Sequence, residues 1–166
     1  MEILLFRHGP AGDKAKWALR GLPDFERPLT ADGAKKTAKA AAGLRTLVRS
    51  LDFVAWSPLV RAAQTAACLK KEFRRAKCVE HPLLKPSAQP AAMIAALATH
   101  GPDERIALVG HEPHLSTLAC LLLGAKPGAL ELKKAGALLL AVEGKPQAGG
   151  ARLLWLLTPS QLRALR

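Results

Sequence analysis

EILLFRHGP, residues 2–10, is the stretch on which the fold turns. Glu2 to Phe6 (EILLF) reads as a strand, a short continuous apolar run closed by the Gly9-Pro10 turn signal; it lacks the alternation of a half-exposed strand. A run of this kind fits a strand covered on both faces, as in a parallel sheet sandwiched between helices. Arg7 and His8 then fall at the carboxyl end of that strand, where apolar packing has no use for them.

The same pattern returns downstream. Leu51 to Trp56 and Arg105 to Val109 (RIALV) read as further buried strands, and Cys78 to Glu80 as a weaker one. Between them lie helical stretches. Thr30 is an N-cap for a helix to about Arg49, on which Ala34, Ala38, Ala41, Leu44 and Val48 recur at helical spacing. Pro58 is expected to open a helix running to about Arg75, and Ala91 to Thr99 and Pro113 to Leu123 supply two more. The proline-rich segment 82–90 reads as a loop. Ala137 to Glu143 and Arg152 to Leu157 resemble a closing hairpin, and Pro159 starts a terminal helix. Repeated βα units predict a three-layer α/β/α sandwich with a mainly parallel central sheet.

The chain has 166 residues, near the ~150 of one domain, so residues 1–166 are expected to form a single domain. Hydrophobic residues at 49% and charged ones at 23% exclude a disordered or fibrous chain. Lys+Arg 25 against Asp+Glu 13 leaves 25 − 13 = +12, a field that draws anions. Cys68, Cys78 and Cys120 form an odd set without CxxC spacing, which argues against a disulfide framework or zinc knuckle and fits a reducing cytoplasm. No apolar run approaches the ~20 residues that span a bilayer, and Glu2, Arg7 and His8 interrupt the amino-terminal one, so neither membrane insertion nor a signal peptide is expected.

Three strand-to-helix junctions carry polar groups: Arg7-His8-Gly9, Ser57-Pro58-Leu59-Val60-Arg61 and Gly110-His111-Glu112-Pro113-His114. In open α/β sheets these junctions converge on one ligand crevice. Two guanidinium forks and helix amino termini suit a phosphoryl group there. A neutral imidazole is able to attack phosphorus without a base to activate it, and a second, protonated one would stabilise the transferring oxygens. Gly9 is expected to let the backbone approach the anion closely. Nothing in this chemistry calls for a metal, and His-Glu-Pro-His lacks the i, i+4 spacing of HExxH.

RHG at 7–9, LTxxG at 29–33, SPLxRAxQTA at 57–66 and VGHEPxLS at 109–116 together resemble the histidine phosphatase superfamily. RHGPAG, ERPLTADG, GHEPHLS and LLWLLTPSQL are similar to its SixA-type phosphohistidine phosphatases. The resemblance implies that His8 becomes phosphorylated, that Arg7 and Arg61 bind the phosphoryl oxygens, and that His111 is the second pocket histidine. It also implies no cofactor and no metal. Gly9, Arg27, Ser57, Glu112 and His114 are the further candidates for phosphate or substrate contact.

Mutase-like and phosphomonoesterase relatives place a proton-donating glutamate before the proline-rich loop, whereas the comparable HPLLK, residues 81–85, has none. Its absence favours an imidazole leaving group over a far more basic alkoxide. The expected partner is a phosphohistidine-bearing protein, in a pocket left open by the short Arg61–His111 interval. Glu80, Asp13 and Glu112 remain fallback acids, and His114 would add a cation. The alternatives are a small-molecule phosphomonoesterase, a noncatalytic phosphate- or polyanion-binding module, and a nucleic-acid binder. Poor aromatic content, with no Tyr, counts against base stacking and specific nucleic-acid reading.

A competing signal is Cys68-Leu69-Lys70-Lys71-Glu72-Phe73-Arg74, which satisfies C-x5-R. LKKEF is a strong helix former without glycine, so its N–H groups would already be bonded and unable to cradle an anion. His81 and His100 are expected to be solvated. The basic clusters Lys35, Lys36, Lys39 and Lys70, Lys71, Arg74, Arg75, Lys77 read as solvated helix faces or as a docking surface for an anionic partner.

Overall fold

The structure, a computed structural model, describes residues 1–165. Strands β1 (Glu2–Arg7), β2 (Phe53–Trp56), β3 (Lys77–Glu80), β4 (Arg105–Gly110), β5 (Ala137–Val142) and β6 (Ala151–Leu157) form one sheet in the order β3-β2-β4-β1-β5-β6. β1 through β4 pair in parallel, and β5 runs antiparallel to both β1 and β6.

The reading of β1 as a strand covered on both faces holds. Ile3, Leu4, Leu5 and Phe6 are all 0% exposed, each contributing roughly 1.5–3 kcal/mol of transfer free energy. Their side chains alternate. Leu4 and Phe6 join the core made with α2 (Ala31–Leu47), α3 (Val60–Glu72) and α6 (Pro159–Ala164). Ile3 and Leu5 join the core made with α4 (Pro90–Leu97) and α5 (His114–Leu123). Helices thus cover both faces of a six-stranded sheet, the expected three layers.

Gly43 of α2 shows how closely two of those helices approach. A Cβ there would sit 1.7 Å from the Leu162 carbonyl oxygen of α6, so only glycine admits the contact.

Several boundaries differ from the sequence reading. The second long helix, α3, starts at Val60, not Pro58, because Leu59 is extended (φ −70°, ψ 134°) and serves as N-cap. It ends at Glu72, where Phe73 (φ −116°, ψ 62°) leaves the helical region before Arg75. The segment before residue 30 holds a short helix, α1 (Lys14–Ala18), and a 3-10 turn at Asp24–Glu26; the proline-rich loop contains another at Pro82–Leu84. These turns are too brief for hydrophobic periodicity to reveal.

The topology places the junctions. From β1 the chain crosses by α2 on one face, and from β4 it crosses by α5 on the other. Adjacent carboxyl ends whose continuations diverge to opposite faces open a crevice between them, the switch point at which α/β sheets bind ligands.

Candidate active site

Register brings the junction residues together. Arg7 pairs with Gly110, so His8 and His111 leave neighbouring strands side by side. The His8 backbone N–H donates to the Gly110 carbonyl at 3.0 Å, and Ser57 N–H donates to the Val109 carbonyl at 3.0 Å. The two imidazoles stand 4.9 Å apart between centroids, tilted by 54°. His8, Arg61 and His111 retain only 7%, 5% and 2% exposure, so these three side chains lie at the base of the crevice.

Each imidazole is oriented by the protein. His8 Nδ1 lies 2.7 Å from the Gly9 carbonyl, which only accepts, so Nδ1 carries the proton and Nε2 keeps its lone pair. His111 Nε2 lies 2.8 Å from the Ser57 hydroxyl, and Ser57 is fully buried. Ser57 therefore positions His111, a role that suits its place as the first residue after β2.

Burial, then the positive charges of Arg61, Arg7 and Lys134, lower the His8 pKa to about 4, against the opposing pull of the Gly9 carbonyl. Burial, then His8, Arg61 and His114, lowers that of His111 to about 3. The protein's own groups thus hold both rings neutral at pH 7. That differs from the expectation of a protonated second histidine; a positive His111 requires the added charge of a bound anion.

The arginines are fixed by groups that sequence reasoning did not single out. Arg61 Nη1 donates to the Asp24 carbonyl at 2.9 Å, and Nη2 to its carboxylate at 3.1 Å. Arg27 Nε donates to the same carboxylate at 2.8 Å and Nη1 to the Gly12 carbonyl at 2.6 Å. Burial works to raise the Asp24 pKa, but Arg27 and Arg61 outweigh it and hold the carboxyl below its usual range. Arg27 thus sits behind Arg61 and shares its counter-ion. Arg7 Nη1 donates to the Leu132 carbonyl at 2.6 Å. Among the described residues, Arg7 Nε, Arg61 Nε and His111 Nδ1 are buried without a partner. Three unpaired buried groups around one imidazole are costly unless something completes them, and an anion would take the two guanidinium donors.

Two candidates behave differently from expectation. The Gly9 N–H donates to Thr65 Oγ1 at 3.0 Å, and a Cβ at Gly9 would sit 1.9 Å from Thr37 Oγ1. Glycine is needed here for packing against Thr37, and its amide is committed to the protein rather than free for an anion. His114 is 2% exposed, both ring nitrogens lack partners among the described residues, and burial lowers its pKa. The Leu83 carbonyl opposes that shift without meeting hydrogen-bond geometry. A neutral, enclosed imidazole does not supply the extra cation expected at this position.

Glu112 accepts from the Ser116 hydroxyl through Oε2, while Oε1 is buried without a partner. Burial raises its pKa, against Ser116 and the charge of Arg7. Outside the crevice, Cys68 lies within α3, half-buried with its thiol pKa raised by burial, which is the reverse of an activated nucleophile. His81 and His100 are only partly exposed and are bonded rather than simply solvated: His81 caps the turn at Leu83 N–H, and His100 Nδ1 meets Glu104 at 2.8 Å.

The Asp24–Arg27 spacing of i, i+3 was open to sequence reading, but Asp24–Arg61, 37 positions apart, was not. Thr65 stands inside the SPLxRAxQTA stretch and was visible there without a role.

No helix among the described residues is long and apolar enough to cross a membrane. An uncharacterized protein of Picosynechococcus sp. (strain ATCC 27264 / PCC 7002 / PR-6) is 34% identical over 166 residues, covering 95% of this chain and 96% of its own. The solved structure of the protein histidine phosphatase SixA complexed with tungstate is similar over 98% of this chain and 99% of its own, with TM-score 0.83 and 22% identity. A mutant of phosphoserine phosphatase from Entamoeba histolytica, in complex with phosphoserine, is similar over 97% of this chain and 98% of its own, with TM-score 0.71 and 16% identity. Fold and family together support a phosphatase. A profile of the histidine phosphatase superfamily (branch 1) matches residues 3–86, the span that carries His8, Asp24 and Arg61, and the chain belongs to that superfamily.

Proposed function

We infer that residues 1–166 form one catalytic domain, a metal-independent phosphatase that hydrolyses phosphohistidine on a protein by way of a phosphorylated His8. The observation that carries this reading is the set of unpaired buried donors, Arg7 Nε and Arg61 Nε, around an imidazole whose free lone pair is at Nε2.

His8 Nε2 attacks phosphorus as the substrate P–N bond breaks, and the leaving imidazole takes that electron pair and a proton from water, or from His111 once the bound anion has brought a proton onto it. In that case the water of the second step returns that proton to His111. Water then attacks the phosphorus on His8 in line, the new P–N bond breaks, and the pair returns to Nε2 with release of inorganic phosphate. Arg7 and Arg61 hold the equatorial oxygens, with charge and geometry suited to the transition state. Ser57 holds His111 beside them. Arg27 and Asp24 brace Arg61. The absence of a glutamate in HPLLK fits a leaving group that needs little acid assistance, and the +12 charge fits an anionic substrate.

The test is a rapid quench with a labelled phosphohistidine peptide. Label is expected on the protein in an alkali-stable, acid-labile form, absent from His8→Ala, with turnover unaffected by EDTA. Turnover without such an adduct overturns the mechanism, and inhibition by the chelator overturns metal independence.

One observation favours a second reading, a small-molecule phosphomonoesterase. Glu112 is a half-buried carboxyl whose pKa is raised by burial, a shift in the direction that favours a proton donor.

A further inference from the structure

We propose that the basic groove beside the carboxyl ends of α2 and α3 is a second anion site, which takes a chain of linked phosphates, either free polyphosphate or the tail of a nucleotide. The groove encloses about 460 Å³, within the range of ~300–1,000 Å³ usual for small-ligand sites. Arg45, Arg49, Arg74 and Arg75 line it over a floor of Leu51 and Phe73, which are buried. Ser50 and Leu51 lead into β2 and Arg74 and Arg75 into β3, so the groove lies at the amino ends of the strands. His8 and His111 follow the carboxyl ends. The two sites are at opposite ends of the sheet.

Cations beside helix carboxyl ends have an ordinary explanation in the helix dipole and the free carbonyls. It covers only part of this cluster. Arg45 Nη1 reaches the Val48 carbonyl at 3.4 Å and Arg74 Nε the Lys71 carbonyl at 3.4 Å, both long contacts. Arg49 and Arg75 make no hydrogen bond or ion pair among the described residues, and Glu72 is the single carboxylate in the lining. Four like charges around one groove repel one another, and an anion spanning them turns that repulsion into attraction. Guanidinium forks match phosphate oxygens bidentately, and one phosphate leaves most of the forks unused.

The Phe73 ring is 4% exposed and lies under the Arg45 guanidinium at 5.7 Å. The groove therefore offers no aromatic face on which a base stacks, so the phosphates rather than a nucleobase are read, and single-stranded nucleic acid is the weaker fit.

The test is amide NMR on His8→Ala, which blocks turnover, titrated at 0.15 M salt with sodium tripolyphosphate, ATP, inorganic phosphate and a single-stranded oligonucleotide. Tripolyphosphate and ATP are expected to shift residues 49–51 and 73–75 saturably and with similar affinity. Inorganic phosphate is expected to shift only the histidine crevice. Adding Arg49→Glu and Arg75→Glu should weaken the groove response roughly tenfold or more and leave the crevice response in place. Adding Arg49→Gln and Arg75→Gln instead gives a smaller loss and guards against misfolding. An oligonucleotide that binds the groove more tightly than tripolyphosphate would replace a phosphate-chain site with a nucleic-acid surface. Tripolyphosphate shifts confined to the crevice, or unchanged by both charge-removing pairs, would leave no second site.

Discussion

Arg61 is held by Asp24 at two points, through the backbone carbonyl at 2.9 Å and the carboxylate at 3.1 Å, and the same carboxylate holds Arg27. A guanidinium that is 5% exposed keeps its direction only if something fixes it, and here the fixing group comes from a short turn far away in the chain.

Asp24→Ala is expected to lower kcat/KM for phosphohistidine peptide roughly tenfold, which corresponds to about 1.4 kcal/mol of lost transition-state stabilisation. Asp24→Asn, which keeps an acceptor, should fall between. Because Asp24 acts through Arg61, the loss should appear in both kcat and KM. Unchanged kinetics in Asp24→Ala would reduce the contact to a structural one.

The two imidazoles should govern the acid limb of stability. In the unfolded chain each takes up a proton near 6.5; in the folded chain His8 resists until about 4 and His111 until about 3. Across that interval the unfolded state binds more protons, so stability falls as pH drops below 6.5. Asp24, lowered from 3.8, adds to the fall at still lower pH. Denaturant midpoints from pH 7 to 4 should decline, with a shallower slope in His8→Asn and His111→Asn. Imidazole NMR should find both rings neutral at pH 6, and saturating phosphate should raise the His111 midpoint by roughly one pH unit. A flat stability profile would contradict the buried, neutral pair.

Gly9→Ala should destabilise the fold by about 1–3 kcal/mol, the usual cost of forcing an extra carbon into a packed site. The obstacle is specific: the new Cβ would lie 1.9 Å from Thr37 Oγ1. Thr37→Ala removes that oxygen, and the double variant should recover more than half of the loss in urea unfolding. Additive losses would mean that the clash is not what excludes alanine.

Glu112 separates the two functional readings. In a phosphohistidine phosphatase, Glu112→Gln leaves turnover of phosphohistidine peptide within about threefold and alkyl phosphates remain poor substrates. In a phosphomonoesterase with Glu112 as acid, wild type turns over alkyl phosphates well and Glu112→Gln loses roughly 10²-fold or more on them. p-Nitrophenyl phosphate, whose leaving group needs little acid, should barely register the change in either case.

Apolar patterning and residue order suffice for the layers and the junctions. β1 was legible because an uninterrupted apolar run has one stable use at that length, and His8, Arg61 and His111 were legible because polar residues at strand ends serve no packing purpose. How those groups are held follows from contacts between distant parts of the chain. Asp24 meets Arg61 across 37 positions, Thr37 stands where a Cβ at Gly9 would fall, and burial keeps His111 and His114 neutral. Periodicity reports which face of an element is covered. It carries no record of which distant carbonyl, hydroxyl or carboxylate arrives opposite a given side chain, and that arrival sets both tautomer and charge.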